Sequence, residues 1–300
     1  MRVSVPTEEL AQRLSGCADI AVWDLVGAPP WSAIDVVVPP YQSDPSLLTA
    51  LADVEVRLVQ SQSIGYDGVA DHLPSGIAFA NAAGVHEGPA AEIGIALLLA
   101  AQRDLPRYAA QQISGTWSSD VTRGLLGLRV VILGAGGLAG AFVDRLAPFG
   151  ADAVRVGRSR RRDSRGDVAG PDDLARLLPE ADAVVVCLPL DDSTRGMVDA
   201  SFLGRLREGA LLVNIGRGPV VDTAALLIEL ESGRLRAALD VTDPEPLPPS
   251  HPLWRMPGVL ISPHVGGKVS TMTDAVESLL RRQLTALKSG ATPANLVEFA

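Results

Sequence analysis

The stretch "VVILGAGGLAGAFVDRLAPFG", Val130 to Gly150, decides the fold. It opens on a β-branched run and passes through a glycine-rich turn. It then becomes an amphipathic helix pattern, the strand–turn–helix context that gives Gly134, Gly136 and Ala139 a specific meaning. Gly134 permits the tight turn. Gly136 lets the backbone approach a pyrophosphate, and Ala139, in place of a third glycine, still allows close helix–sheet packing. Gly137 and Leu138 open a helix whose free N–H groups and positive end favour phosphate.

Further apolar runs follow at regular spacing: "AVRVG" (153–157), "AVVVCLP" (183–189), "LLVNIG" (211–216), "RAALDVT" (236–242) and "VLISPH" (259–264). They are continuous rather than alternating, as expected of parallel strands covered on both faces. Helix-like stretches separate most of them, so the fold class is α/β with a doubly wound Rossmann sheet. Before this block, "AIDVVVPP" (33–40), "VRLVQS" (56–61) and "IAFAN" (77–81) read as strands of a smaller α/β domain. "EGPAAEIGIALLLAAQRDLPRYAAQQI" (87–113) reads as one long spanning helix. The expected division is 1–99 with 286–300 for the smaller domain and 100–285 for the dinucleotide domain.

The chain has 300 residues, 47% hydrophobic and 20% charged, an ordinary soluble composition with no sign of disorder. Its net charge of -9 would repel a phosphate backbone, which argues against a nucleic-acid partner. Two cysteines cannot make a disulfide framework, and Cys187 reads as a small buried hydrophobe. "IGIALLLAA" is about half the length needed to span a bilayer. The opening "MRVSVPTEEL" has no apolar signal core, so no membrane and a cytoplasmic setting are expected. His72, His86, His251 and His264 are scattered without short-spaced ligand pairs, and no metal is expected.

Against the acidic total stands "VGRSRRRDSRG", Val156 to Gly166. It begins where the second strand of the Rossmann series ends. There an NAD-binding chain usually offers an acid to the ribose hydroxyls. Here Gly157 is followed by Arg158, Ser159 and Arg160, and the nearest acid, Asp163, comes later. Arginines can grip a 2′-phosphate in bidentate fashion, so NADP(H) is expected over NAD(H). Arg161, Arg162 and Arg165 read as solvated surface charge.

Three later segments carry chemistry. Arg217 stands between two glycines in "NIGRGPVVD", just past a buried strand. Glu245 lies in "DPEP", after Asp240 at a strand end. His264 lies in "SPHVGG" at the end of the last strand. In this order, with "SIGYDGV" (63–69), "NAAGVHEGPAAE" (81–92), "GTW" (115–117), "CLPLDDSTRGMV" (187–198) and "HPLW" (251–254), they resemble the D-isomer-specific 2-hydroxyacid dehydrogenases. The resemblance runs through nearly the whole chain and implies a smaller, flavodoxin-like substrate domain. It implies that Arg217 binds the substrate carboxylate, that His264 is the proton donor and that Glu245 orients the imidazole. Hydride passes from nicotinamide C4 to C2 of a small 2-keto acid such as glyoxylate or hydroxypyruvate. It further implies that Ser63, Ile64 and Gly65 close on the substrate carboxylate. Leu188, Pro189 and Thr194 would line the adenosine–pyrophosphate side. Ile215, Gly216, Asp240, Gly266 and Gly267 would lie at the nicotinamide, Asp240 on its carboxamide. A homodimer through the cofactor domains is implied too. Roles for His86 and Trp254 stay open. The alternatives are a catalytically silent nucleotide sensor, another Rossmann enzyme such as a methyltransferase, and a hydrolase. The last lacks a Gly-x-Ser-x-Gly elbow.

Overall fold

A computed structural model describes residues 1–299. The chain divides into two compact units, 1–86 with 269–300, and 87–268.

The first unit is a five-stranded parallel sheet. Its strands are β1 (Arg2–Val5), β2 (Asp19–Val22), β3 (Ala33–Val37), β4 (Glu55–Gln60) and β5 (Ala78–Ala80), in the order β2-β1-β3-β4-β5. That is the flavodoxin-like order. Two strands come from sequence not read as such. β1 is the run "RVSV", and β2, "DIAV", is a partly exposed edge strand. The helix Met272–Lys288 buries Val276, Leu279, Leu280 and Leu284 in the same core as Val3, Val36 and Leu58.

The second unit holds eight strands: β6 (Arg129–Leu133), β7 (Asp152–Val156), β8 (Arg161–Asp163), β9 (Gly166–Ala169), β10 (Ala183–Val186), β11 (Leu211–Asn214), β12 (Arg236–Leu239) and β13 (Val259–Ile261). Their order is β13-β12-β11-β10-β6-β7-β9-β8. All pairs are parallel except the β8–β9 hairpin at one edge. This is the doubly wound Rossmann sheet, with its reversal of strand order between β6 and β10. β10 and β11 are buried at every position, as their unbroken apolar sequences require. Cys187 is buried, which pushes its thiol well above the ordinary range.

Two expectations are corrected here. The 87–113 segment is two helices, Glu87–Gln102 and Leu105–Ser114. Asp104 adopts a left-handed φ of 54° and Pro106 follows at the start of the second helix, so the ladder breaks. The unit boundaries fall at 86/87 and 268/269 rather than at 99/100 and 285/286. The helix Glu87–Gln102 buries Ala91, Ile95, Leu97 and Leu98 with Val130, Phe142 and Ile215 of the second unit.

Register carries the fold into the site. Val156, Leu133, Val186, Asn214, Leu239 and Ile261 form one row across β7, β6, β10, β11, β12 and β13. The next residue on each strand is Gly157, Gly134, Cys187, Ile215, Asp240 or Ser262. Every candidate loop of this unit therefore leaves from one carboxyl edge, where ligands bind in open α/β sheets.

Candidate active site

At that edge the glycine turn follows β6. Gly134 has φ 124°, and a Cβ there would stand 3.0 Å from the Cys187 carbonyl oxygen. Gly136 caps the helix Gly137–Leu146, and a Cβ on it would meet nothing within 4 Å. Ala139 is buried, as close helix–sheet packing requires. A tight turn, open space over Gly136 and a helix N-terminus together fit a pyrophosphate. Beyond β10, the Thr194 hydroxyl donates to the Pro189 carbonyl (2.8 Å) and accepts from Asp191 N–H (2.9 Å), which fixes the turn that begins at Leu188.

The arginine run forms the β8–β9 hairpin, which the sequence reading left as loop. Its anchor is Arg155, a buried guanidinium on β7 that makes two 2.7 Å bonds to Asp163. That pair holds the Asp163 carboxyl down at about 2. The first acid after β7 in sequence is thus occupied by a structural partner. Arg158 reaches Asp191 (3.2 Å) and Arg160 reaches Asp173 (2.7 Å), while Ser159 is exposed between them. Arg162 and Arg165 pair with Asp167 and Asp144, in keeping with surface charge. Arg161 is exposed too, but it lies against the glycine turn. Its guanidinium lies over Gly157, 2.9 Å from where a Cβ would stand, and it points at the Ala135 carbonyl of the glycine turn (3.5 Å).

Arg217 sits just past β11. The turn tolerates no side chains beside it. A Cβ on Gly216 would lie 2.6 Å from the Leu188 carbonyl oxygen, and one on Gly218 would lie 1.8 Å from that of Thr242. Arg217 Nη1 donates to the Gly216 carbonyl at 2.7 Å. Asn214, a residue the sequence reading did not single out, holds this turn from below. Its amide nitrogen donates to the Arg217 carbonyl (3.0 Å) and its oxygen accepts from Gly216 N–H (3.1 Å). The signal was there, since Asn214 ends an otherwise apolar strand and is buried.

Glu245 and His264 meet. Glu245 Oε1 is hydrogen-bonded to His264 Nδ1. Burial pushes the Glu245 carboxyl up. The His264 hydrogen bond and charge, a backbone contact from Thr242 and the charge of Arg217 together hold it below its ordinary value. An ionised carboxylate only accepts, so Nδ1 carries the hydrogen of this bond. Nε2 is then the nitrogen left to exchange a proton. Asp240, 3% exposed, is enclosed by its own loop: Ser262 Oγ, Val265 N–H and Gly266 N–H all donate to its carboxylate. Gly266 and Gly267 are buried behind His264.

In the first unit, Ser63 N–H donates to Ser61 Oγ (2.9 Å), and Asn81 donates to the Ile64 carbonyl (2.9 Å). The Ile64 and Gly65 N–H groups have no partner among the described residues. His86 is buried, its Nε2 2.5 Å from the Gln62 carbonyl and its ring beside Tyr41, so it braces the start of this loop. In the second unit, Trp254 donates to the Pro248 carbonyl (2.9 Å) and is half-exposed. Among the described residues, no group of His, Cys, Asp and Glu could hold a metal ion. No described helix is long and apolar enough to cross a membrane.

Residues 95–266 match the family described as D-isomer specific 2-hydroxyacid dehydrogenase, NAD binding domain. The chain belongs to the D-isomer specific 2-hydroxyacid dehydrogenase family. It is 34% identical over 264 residues to the glyoxylate reductase/hydroxypyruvate reductase of Mus musculus, covering 84% of this chain and 80% of that one. It is 30% identical over 309 residues to the glyoxylate reductase of Aeropyrum pernix, covering 96% and 92%. Among solved structures it resembles the NADPH-dependent glyoxylate/hydroxypyruvate reductase of Sinorhizobium meliloti in complex with NADP and sulfate. The TM-score is 0.85 at 26% identity, over 99% of this chain and 98% of that one.

Proposed function

We propose that this dehydrogenase reduces a small 2-keto acid of the glyoxylate or hydroxypyruvate type to a D-2-hydroxy acid, with NADP(H) favoured over NAD(H). The observation that carries the reading is the His264–Glu245 hydrogen bond, with the charge of Arg217 acting on the same carboxylate. A reduced nicotinamide cofactor, its pyrophosphate held at the glycine turn, would supply the hydride that adds to C2. His264 Nε2 gives a proton to the carbonyl oxygen, where negative charge develops. Glu245 accepts from Nδ1 and keeps the imidazole oriented. Arg217 offers a guanidinium fork matched to the substrate carboxylate and a positive charge beside the keto group. Ser63, Ile64 and Gly65 of the first unit keep the substrate-binding role that the family resemblance implies.

Gly134, Gly136, Gly137, Leu138 and Ala139 hold the pyrophosphate. Leu188, Pro189 and Thr194 line the adenosine side, and Ile215, Gly216, Gly266 and Gly267 line the nicotinamide side. Arg158, Ser159 and Arg160 take the 2′-phosphate. Arg158 and Arg160 then exchange Asp191 and Asp173 for it. The named relatives are glyoxylate reductases, which supports the substrate class. The Sinorhizobium reductase binds NADP, which supports the cofactor.

The same reading includes a homodimer. Ile113 and Trp117, 90% and 98% exposed, stand with Val121 and Leu126 on the segment after the helix Glu87–Gln102. Large apolar side chains left this exposed fit contact with a second copy. Size measurement should return a dimer for the unmodified protein and a smaller species for Trp117→Ser with Ile113→Ser.

The deciding experiment is a steady-state comparison of NADPH and NADH on glyoxylate, hydroxypyruvate and pyruvate. Turnover of the first two with the higher kcat/KM for NADPH is expected. Tight cofactor binding with no turnover of any keto acid would favour a nucleotide sensor instead. Equal or better rates with NADH would refute the cofactor preference.

A further inference from the structure

We infer that Asp240 acts as the positioning residue of His264, and that Ser262 is its helper. The inference rests on the reading of His264 as the proton donor.

His264 has a left-handed backbone, φ 50°. An L-residue other than glycine pays for that conformation, and it persists only where the surroundings over-determine it. Asp240 supplies the determination from the neighbouring strand. Its backbone carbonyl accepts from His264 N–H at 2.7 Å. Its Oδ1 accepts from Ser262 Oγ at 2.6 Å and from Val265 N–H at 3.0 Å, and its Oδ2 accepts from Gly266 N–H at 3.0 Å. Four hydrogen bonds from one residue thus grip positions 262, 264, 265 and 266. The Pro263 peptide has no N–H to offer. The backbone that carries the imidazole cannot shift away from Glu245 without breaking several of these bonds at once.

The burial of Asp240 makes the grip strong. At 3% exposure the carboxylate cannot be satisfied by water, and the donors of this loop take that place. Gly266 completes the fit. A Cβ there would lie 3.0 Å from Asp240 Oδ2, so only glycine lets its N–H come this close. Asp240 itself sits directly after Leu239, whose register with Asn214 and Ile261 is fixed on both sides. Its own N–H is held by the Asn214 carbonyl at 2.9 Å. The position of His264 is therefore referred back to the paired strands β11 and β12. A proton donor displaced by about 1 Å can lose on the order of 100-fold in rate, which gives such a grip its purpose.

This role is separate from the contact between Asp240 and the nicotinamide carboxamide that the family resemblance implies, for which one acceptor position remains. A carboxylate offers about four acceptor positions, and three are occupied within the loop. Asp240→Asn removes one of them, because the amide nitrogen would face another donor, either Gly266 N–H or the Ser262 and Val265 pair.

The test is a double-mutant cycle on the full-length protein with glyoxylate and NADPH, alongside NADPH affinity by fluorescence titration. Asp240→Asn alone should lower kcat by about 30-fold, with the NADPH dissociation constant within about threefold of the unmodified protein. In a His264→Asn background, Asp240→Asn should cost less than about threefold more, because residues acting as a unit are not additive. Ser262→Ala should repeat the pattern with a smaller effect, and it carries the test if Asp240→Asn fails to fold. A fall in NADPH affinity with kcat unchanged would overturn the inference in favour of the carboxamide contact. Equal costs with and without His264 would overturn it in favour of a role independent of the imidazole. A fully active His264→Asn variant would instead overturn the proposed function on which the inference stands.

Discussion

Gly218→Ala is the substitution whose cost the structure specifies most sharply. The added Cβ would lie 1.8 Å from the Thr242 carbonyl oxygen, 2.2 Å from its carbon and 2.9 Å from Asp243 N. All three are backbone atoms, so no side-chain rotation relieves the clash. Ordinary contact begins near 3.4 Å. The turn carrying Arg217 and the loop leading to Glu245 must therefore part by about 1.5 Å. That movement separates the carboxylate-binding guanidinium from the acid–base pair. Misplacement on this scale costs on the order of 100-fold in kcat/KM, or about 2.7 kcal/mol of transition-state stabilisation. The overpacking itself should destabilise the fold by about 1–3 kcal/mol, so the variant still folds with a lowered melting temperature. The assay is NADPH oxidation with glyoxylate, with NADPH binding followed separately. The glycine turn lies on another loop, so the dissociation constant for NADPH should change by less than about fivefold while the rate collapses. A folded Gly218→Ala with kcat/KM within about threefold of the unmodified protein would refute the reasoning.

Arg158→Ala with Arg160→Ala should raise the KM for NADPH at least about tenfold more than that for NADH, since each charged hydrogen bond lost costs about 1.5–3 kcal/mol; a uniform loss for both cofactors would return these arginines to surface charge. Arg161→Ala, from its place against Ala135 and Gly157, should act in the same direction, and no change in either KM would remove it from the site. Asp163→Asn should lower the denaturation midpoint by stranding the buried Arg155. The folded carboxyl is depressed to about 2, so this stabilisation is complete above the ordinary carboxylate value. It fades as pH falls from about 4 to about 2, and the two proteins should converge there. A gap that widens in acid would contradict the sign.

The apolar strands β6, β7 and β10 to β13 were legible because burial on both faces writes itself as unbroken hydrophobic runs. Gly134, Arg217 and His264 were legible because each stands directly beyond such a run. The β8–β9 hairpin was not, since its residues are charged and its fold depends on Arg155, whose burial a linear pattern cannot show. The break at Asp104 escaped for the opposite reason: the apolar pattern runs on through a residue whose left-handed backbone ends the helix. Arg161 is exposed as expected, but sequence distance from Gly157 hides that the hairpin folds it back over the glycine turn. Asn214 and the closed hydrogen-bond ring of Asp240 escaped because they hold loops through backbone groups, and no residue pattern records which N–H a side chain will reach.

The account stands most directly on the pH dependence of kcat/KM for glyoxylate with NADPH, measured for the unmodified protein, Glu245→Gln and His264→Asn. The carboxylate of Glu245 is held below its ordinary value, so the pair stays assembled down into acid and activity should fail first on the alkaline side. His264→Asn should lose about 100- to 10,000-fold in rate and the alkaline ionisation with it. Glu245→Gln should lower the rate as well, because the imidazole loses the acceptor that orients it. A His264→Asn variant that keeps the same alkaline limb, at a rate within about tenfold of the unmodified protein, would contradict the assignment.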